Sequence, residues 1–211
     1  KRGYRAKNMG APLRETLAAA LVTLSRYRGK DPFCDPFCGS GTIPIEAALI
    51  AKNRAPGLDR SFAAQKWRNM DSRLWLDAAD EAMDKEFHGT YDIWGGDIDP
   101  AAVELARHNA QLAGVEDCVR FEVADAAKFH RDSEYGQLVT NPPYGERLLE
   151  KREAEELYRV FGRAVRDLPP KWRVLVLSSH TEFERAFGRP ADKKRKLYNG
   201  MLKCDVFQYG K

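Results

Sequence analysis

The chain has 211 residues, of which 43% are hydrophobic, 31% charged and 10% aromatic, enough apolar content for one domain with a sizeable core and too much for a disordered chain. A mean hydropathy of −0.57, with no run near the ~18 apolar residues a spanning helix needs, excludes a membrane-embedded helical protein. Residues 1–30 carry eight Lys/Arg against Glu15 alone and residues 184–211 carry eight against three acids, so beneath a formal charge of +4 the intervening body is left at −8. Two basic ends on an acidic body fit a polyanion partner, or a plainly solvated surface.

In chain order, Pro12 suits a first helical turn, and Leu13, Leu17, Ala20, Leu21 and Leu24 recur at helical spacing, predicting a helix over 12–27. A short buried strand over 33–37 leads into Gly39-Ser40-Gly41-Thr42 and a helical run over 43–52. Residues 53–90 read as an insertion, opened by the Pro56-Gly57 turn and carrying Phe62, Trp67, Leu74, Trp75 and Met83. A strand over 91–96 ends at Asp97, and Pro100 opens a helix that Gly114 stops. Strands follow over 119–123 and 137–140, the latter ending at Asn141-Pro142-Pro143-Tyr144. A helix over 153–168 stops at Pro169-Pro170, an apolar run over 173–178 is a buried strand, and a short helix follows near 182–187. Asn199-Gly200, between residues 196–198 and 201–209, marks a closing hairpin.

Strands alternating with helices predict an α/β fold: a seven-stranded, mostly parallel sheet with helices on both faces and an antiparallel hairpin at its C-terminal edge. Ligands of such sheets bind beyond the carboxyl ends of the strands, where four features fall. The loop Asp35 to Thr42 has glycines for a tight turn and close backbone approach, but no phosphate-binding Lys, which favours a nucleoside over a triphosphate. Asp97 at the next strand end can accept from both hydroxyls of a ribose, whereas Asp99 is placed to cap the helix that Pro100 opens. Asp125 follows the third strand, as an acceptor for an adenine amino group or as a simple cap. In Asn141-Pro142-Pro143-Tyr144 the prolines remove two donors and leave carbonyl acceptors, Asn141 adds an amide oxygen and Tyr144 a flat ring. Acceptors around a planar face suit a conjugated amine, whose lone pair they would draw out of conjugation.

Together these features resemble the class I S-adenosylmethionine-dependent amino-methyltransferases with a Rossmann-like fold. A closer resemblance covers nearly the whole chain. Arg2-Gly3-Tyr4-Arg5, residues 11–20, 35–42 and 45–48, Ala55-Pro56-Gly57-Leu58, the T-N-P-P-Y-G-E-R-L of residues 140–148, and Leu197-Tyr198-Asn199-Gly200 are similar to the catalytic domain of bacterial 23S rRNA guanine-N2 methyltransferases. The resemblance implies S-adenosylmethionine as cofactor, ribosomal RNA as partner, and direct transfer of the methyl group to an exocyclic amine without metal. It implies catalysis by Asn141, Pro142, Pro143 and Tyr144. Cofactor binding falls to Asp35, Pro36, Cys38, Gly39, Ser40, Gly41, Thr42, Asp97, Ile98, Asp125, Ala126 and Asn141, and RNA contacts to Tyr144, Arg147, Arg2 and Arg5. Such proteins carry an RNA-binding THUMP module ahead of this domain, so the 211 residues are expected to be one catalytic domain cut from a longer chain.

Several residues admit two readings. Cys38 is either a nucleophile or, lacking a nearby His, packing beside the loop. Glu46 either touches the cofactor or complements the helix dipole, and Arg147 pairs with phosphate or with Glu146. Four cysteines without a second close pair, and four scattered histidines, predict reduced thiols in a cytoplasmic protein and no metal site. The competing functions are methylation of adenine N6 or of a protein glutamine, and a nucleic-acid-binding module that has lost catalysis.

Overall fold

The computed structural model describes residues 2–5, 13–145 and 148–210, and the side chains of all of these but Leu148 and Leu149. Pro12 and Arg147 lie outside the described residues. Seven strands form one sheet in the order β3-β2-β1-β4-β5-β7-β6. They are β1 (Phe33–Asp35), β2 (Ile93–Asp97), β3 (Val119–Val123), β4 (Tyr135–Thr140), β5 (Lys171–Ser178), β6 (Lys193–Asn199) and β7 (Leu202–Tyr209). Pairs among β1 to β5 are parallel, and β7 runs antiparallel to both β5 and β6. The strand order reverses between β1 and β4, so the crevice beyond their carboxyl ends is where a ligand fits.

The pleat sorts side chains onto two faces. Phe33, Ile93, Val139, Leu175, Leu177 and Val206 meet α1 (Glu15–Leu24), α2 (Thr42–Ala51) and α4 (Pro100–Leu112) in one core cluster. Their neighbours Cys34, Trp94, Leu138, Val174, Val176 and Phe207 meet α5 (Leu148–Arg166) and α6 (Phe183–Phe187) in a second. Phe161 of α5 and Phe183 of α6 are wholly buried there. Truncating either to Ala would cost about 3–5 kcal/mol. All four cysteines are free and buried. No helix among the described residues is long and apolar enough to cross a membrane.

Pro44 stands in the first turn of α2, where its missing N–H breaks no ladder bond. Asp99 caps α4 by accepting from the Ala101 N–H at 2.9 Å. Residues 53–90 contribute no strand to the sheet. Their helix α3 (Ser72–Asp84) has no buried residue, and their base is tied where Phe87 N–H reaches the Lys52 carbonyl and Arg54 meets Glu86, both at 2.7 Å. Trp67 is exposed rather than packed, while Trp75 stacks on Phe62. The basic residues 193–195, which precede the hairpin arm expected at 196–198, open β6, the outer edge strand, in register with Gln208, Phe207 and Val206 of β7.

Candidate active site

The carboxyl ends of β1, β2 and β4 open into a cavity of about 690 Å³, within the range typical of small-molecule sites. Of the residues marked by sequence, Pro36, Gly39, Asp97, Ile98, Asp125, Ala126, Asn141, Pro142, Pro143 and Tyr144 line it. Asp35, Cys38, Gly41 and Thr42, which the loop buries, do not, nor does half-buried Ser40.

Asp35 is buried at the end of β1. Its Oδ1 accepts from the Thr140 hydroxyl at 2.6 Å and the Phe37 N–H at 3.1 Å, which ties the loop to the strand end just before Asn141. Burial pushes its carboxyl up to about 7, against the pull of those two donors. Gly41 has φ +82°, and a Cβ there would stand 2.9 Å from both Ala106 and the Phe121 ring, so the tight turn requires glycine. The Cys38 thiol is buried and pushed well above its ordinary value, which suits packing and not nucleophilic attack.

Asp97 secures its own surroundings. One oxygen accepts from the Gly39 N–H and the other from the Asp99 N–H, each at 3.0 Å, leaving lone pairs on both for a ligand. Asp125 accepts from the Ala127 N–H at 2.9 Å and also lines the cavity, so it is a cap with a face toward the site. Nothing lies within 4 Å of a Cβ built on Gly39, so a ligand can approach the backbone closely. Phe37, Ile98, Ala124 and Ala126 supply apolar walls.

The Asn141–Tyr144 turn is braced from below. The Tyr144 hydroxyl donates to Asn141 Oδ1 at 2.5 Å, fixing the amide while leaving that oxygen a second lone pair. The hydroxyl of Tyr158, wholly buried on α5, donates to the Pro143 carbonyl. It receives in turn from Ser178 Oγ at 3.2 Å, and that oxygen accepts from the His180 N–H at 3.1 Å. The Pro143 carbonyl is therefore held by the core, with one of its two lone pairs committed to Tyr158. The Pro142 carbonyl takes no hydrogen bond among the described residues. Gly145, at φ +69°, lets α5 close on the turn; a Cβ there would lie 2.7 Å from the Glu150 carbonyl oxygen.

Two arginines of the basic N-terminal segment are committed elsewhere. Arg2 pairs with Glu46 at 3.1 Å, and Tyr4 donates to the same oxygen at 2.9 Å. Glu46, almost wholly buried in α2, is pushed up to about 7 by that burial; it neither faces the cavity nor merely complements a dipole. Arg5 lies 3.7 Å from Glu15 and 3.2 Å from the Thr42 hydroxyl. Both arginines, expected to grip RNA, point their guanidinium groups into the body because buried carboxylates there need cations. The sequence reading missed Arg14, Phe37, Ala124, Leu157, Asn199, Gly200 and Leu202, all of which line the cavity. Among the described residues no cluster of three or more His, Cys, Asp or Glu could hold a metal ion.

A mostly parallel sheet in this order, with an acidic second strand end and an N-P-P-Y turn on the fourth strand, defines a class I methyltransferase fold. The chain belongs to the RMKL-like, methyltransferase domain family, whose profile matches residues 2–208. It is 47% identical over 210 residues to the "Putative RNA methyltransferase YpsC" of Bacillus subtilis, covering 99% of this chain and 54% of the relative. It is 41% identical to Ribosomal RNA large subunit methyltransferase K/L of Shewanella baltica, over 97% of this chain and 30% of that protein. Among solved structures, SMU.472 complexed with SAH superposes at a TM-score of 0.94 with 44% identity, over 100% of this chain and 55% of its own. The chain thus spans about half the length of the first of these relatives and less than a third of the second.

Proposed function

We propose that this domain transfers a methyl group from S-adenosylmethionine to the exocyclic N2 amine of a guanine in large-subunit ribosomal RNA. The observation that carries the reading is the convergence, in one cavity, of Asp97 and Gly39 with the braced Asn141–Tyr144 turn. The names of the relatives support RNA as substrate, and the SAH complex of a 44% identical structure supports the cofactor. The residues present fit that cofactor: two free lone-pair directions on Asp97 for a diol, Asp125 for an amino group, apolar walls for a purine, and an open backbone at Gly39.

When bound, S-adenosylmethionine would supply an electrophilic methyl carbon on a sulfonium, whose sulfur would leave with the S–C electron pair as the amine lone pair bonds that carbon. Asn141 Oδ1 and the Pro142 carbonyl accept the two N–H bonds of the target amine and turn its lone pair toward that carbon. After transfer the methylated nitrogen would release its proton to water. Tyr144 gives the base a ring to stack on, a contact of about 1–3 kcal/mol. Fixing the amine in line contributes about 7–11 kcal/mol by removing the need for a chance encounter. A paired guanine must leave its stack to enter.

On this reading the 211 residues act as one cytoplasmic catalytic domain, with 53–90 as an appendage. The test is incubation with labelled S-adenosylmethionine and unmodified large-subunit RNA, DNA or a glutamine-bearing protein substrate, followed by nucleoside and residue analysis. N2-methylguanosine is expected; label in N6-methyladenosine or in glutamine overturns the assignment.

A further inference from the structure

We propose that the β6–β7 hairpin is the surface that grips the single-stranded RNA flanking the target nucleotide, an inference that rests on the function proposed above. β6 is the outer edge strand, paired to β7 alone, and it opens with Lys193, Lys194, Arg195 and Lys196, all exposed. The pleat places Lys194, Lys196 and Tyr198 on one face. The register sets Lys203 directly opposite Tyr198 and half-buried Asp205 opposite Lys196, so Lys196, Tyr198 and Lys203 form an exposed line along that face toward the turn, with one carboxylate beside it. Lys194, at the far end of the line, is held by Glu184 at 2.8 Å. Lys196 and Lys203 make no ion pair within 4 Å among the described residues.

The line ends at the cavity. Asn199, Gly200 and Leu202 form part of the wall that also contains the Asn141–Tyr144 turn. Between them Met201 projects with 98% of its surface exposed, and Tyr198 is 64% exposed. Cations on an edge strand also keep it from pairing with another sheet, but one or two lysines serve that purpose. It leaves unexplained why a tyrosine and a methionine are presented to solvent where the cavity opens. Phosphates along a strand take the lysines, a flanking base takes the Tyr198 ring, and Met201 offers an apolar tip beside the space a flipped nucleotide vacates. The other basic end is excluded from this role at Arg2 and Arg5, whose charges are met by Glu46 and Glu15.

The test is fluorescence anisotropy with a labelled single-stranded RNA of mixed sequence, using the full chain. Lys196→Glu/Lys203→Glu is expected to weaken binding by roughly tenfold or more and to lower the salt slope by about 1–2. Tyr198→Ala is expected to weaken it about 5- to 100-fold. A charge-matched pair at the opposite, amino edge of the sheet, Arg28→Glu/Lys30→Glu, is the control and should bind within about twofold of the parent after the lost net charge is allowed for. S-adenosylmethionine titration of each variant verifies an intact cavity. Hairpin variants that bind RNA like the parent, or a control pair that loses as much as the hairpin pair, overturn the inference while a parent that methylates guanine N2 keeps the function standing. A parent chain that does not bind RNA overturns both.

Discussion

The glycine-loop half of the cavity and the Asn141–Tyr144 half meet at the switch between β1 and β4, yet they are held in place by different means. On the first side Asp97 organises its own neighbourhood, its two oxygens taking the Gly39 and Asp99 N–H groups. The ligand-facing carboxylate and the structural one are the same group. On the second side the groups that face the cavity are positioned by others: Tyr158 holds the Pro143 carbonyl and Ser178 holds Tyr158. The difference teaches where a substitution should be felt. Damage to the first half should appear in cofactor affinity, and damage to the second in turnover.

The largest effect expected is that of Asn141→Ala, which removes the proposed acceptor of the target amine. Turnover should fall on the order of 10³-fold in a labelled methyl-transfer assay. Asp97→Ala removes ligand hydrogen bonds to a charged group and also orphans two backbone donors, so cofactor dissociation should rise on the order of 10²-fold by titration. Tyr158→Phe keeps the ring in the core but releases the Pro143 carbonyl. It should cost about 1–3 kcal/mol in denaturant unfolding and lower turnover on the order of tenfold with cofactor affinity retained. An equal loss of affinity would break the proposed separation of the halves.

A separate effect expected is a dependence of stability on pH. Asp35 and Glu46 are both raised to about 7 by burial, from ordinary values of 3.8 and 4.5. Between those limits the folded chain keeps protons that the unfolded chain has released. Their contribution is therefore fully favourable below about pH 4, declines as pH climbs and is lost above about 7. Thermal melting across that range should show the decline, and Asp35→Asn should remove part of the slope.

Much of this was legible in the sequence, because strand ends are punctuated locally. Asp35-Pro36, Gly95-Gly96-Asp97 and Asn141-Pro142-Pro143-Tyr144 each stop a strand with residues that do little else well, and all three mark the cavity's edge. What could not be read was anything supplied across the fold. Tyr158 sits in an amphipathic helix where it looks like ordinary core, and only the packing of α5 under the turn reveals its hydroxyl at Pro143. Asn199-Gly200 was legible as a turn but not as a cavity wall. That role follows from β7 running antiparallel to β5, which returns the hairpin tip to the carboxyl edge. The partners of Arg2 and Arg5 were not legible, because charge counting does not see a buried carboxylate. The signal was present in Glu46, a carboxylate inside a helix otherwise buried almost throughout, which must be matched by a cation or a donor.

The most direct measurement is a calorimetric titration of S-adenosylmethionine into the parent chain, Asn141→Ala and Asp97→Ala. The account predicts parental affinity for Asn141→Ala and a marked loss for Asp97→Ala. Equal loss in both variants would contradict the division of the cavity into a half that holds the methyl donor and a half that presents the amine.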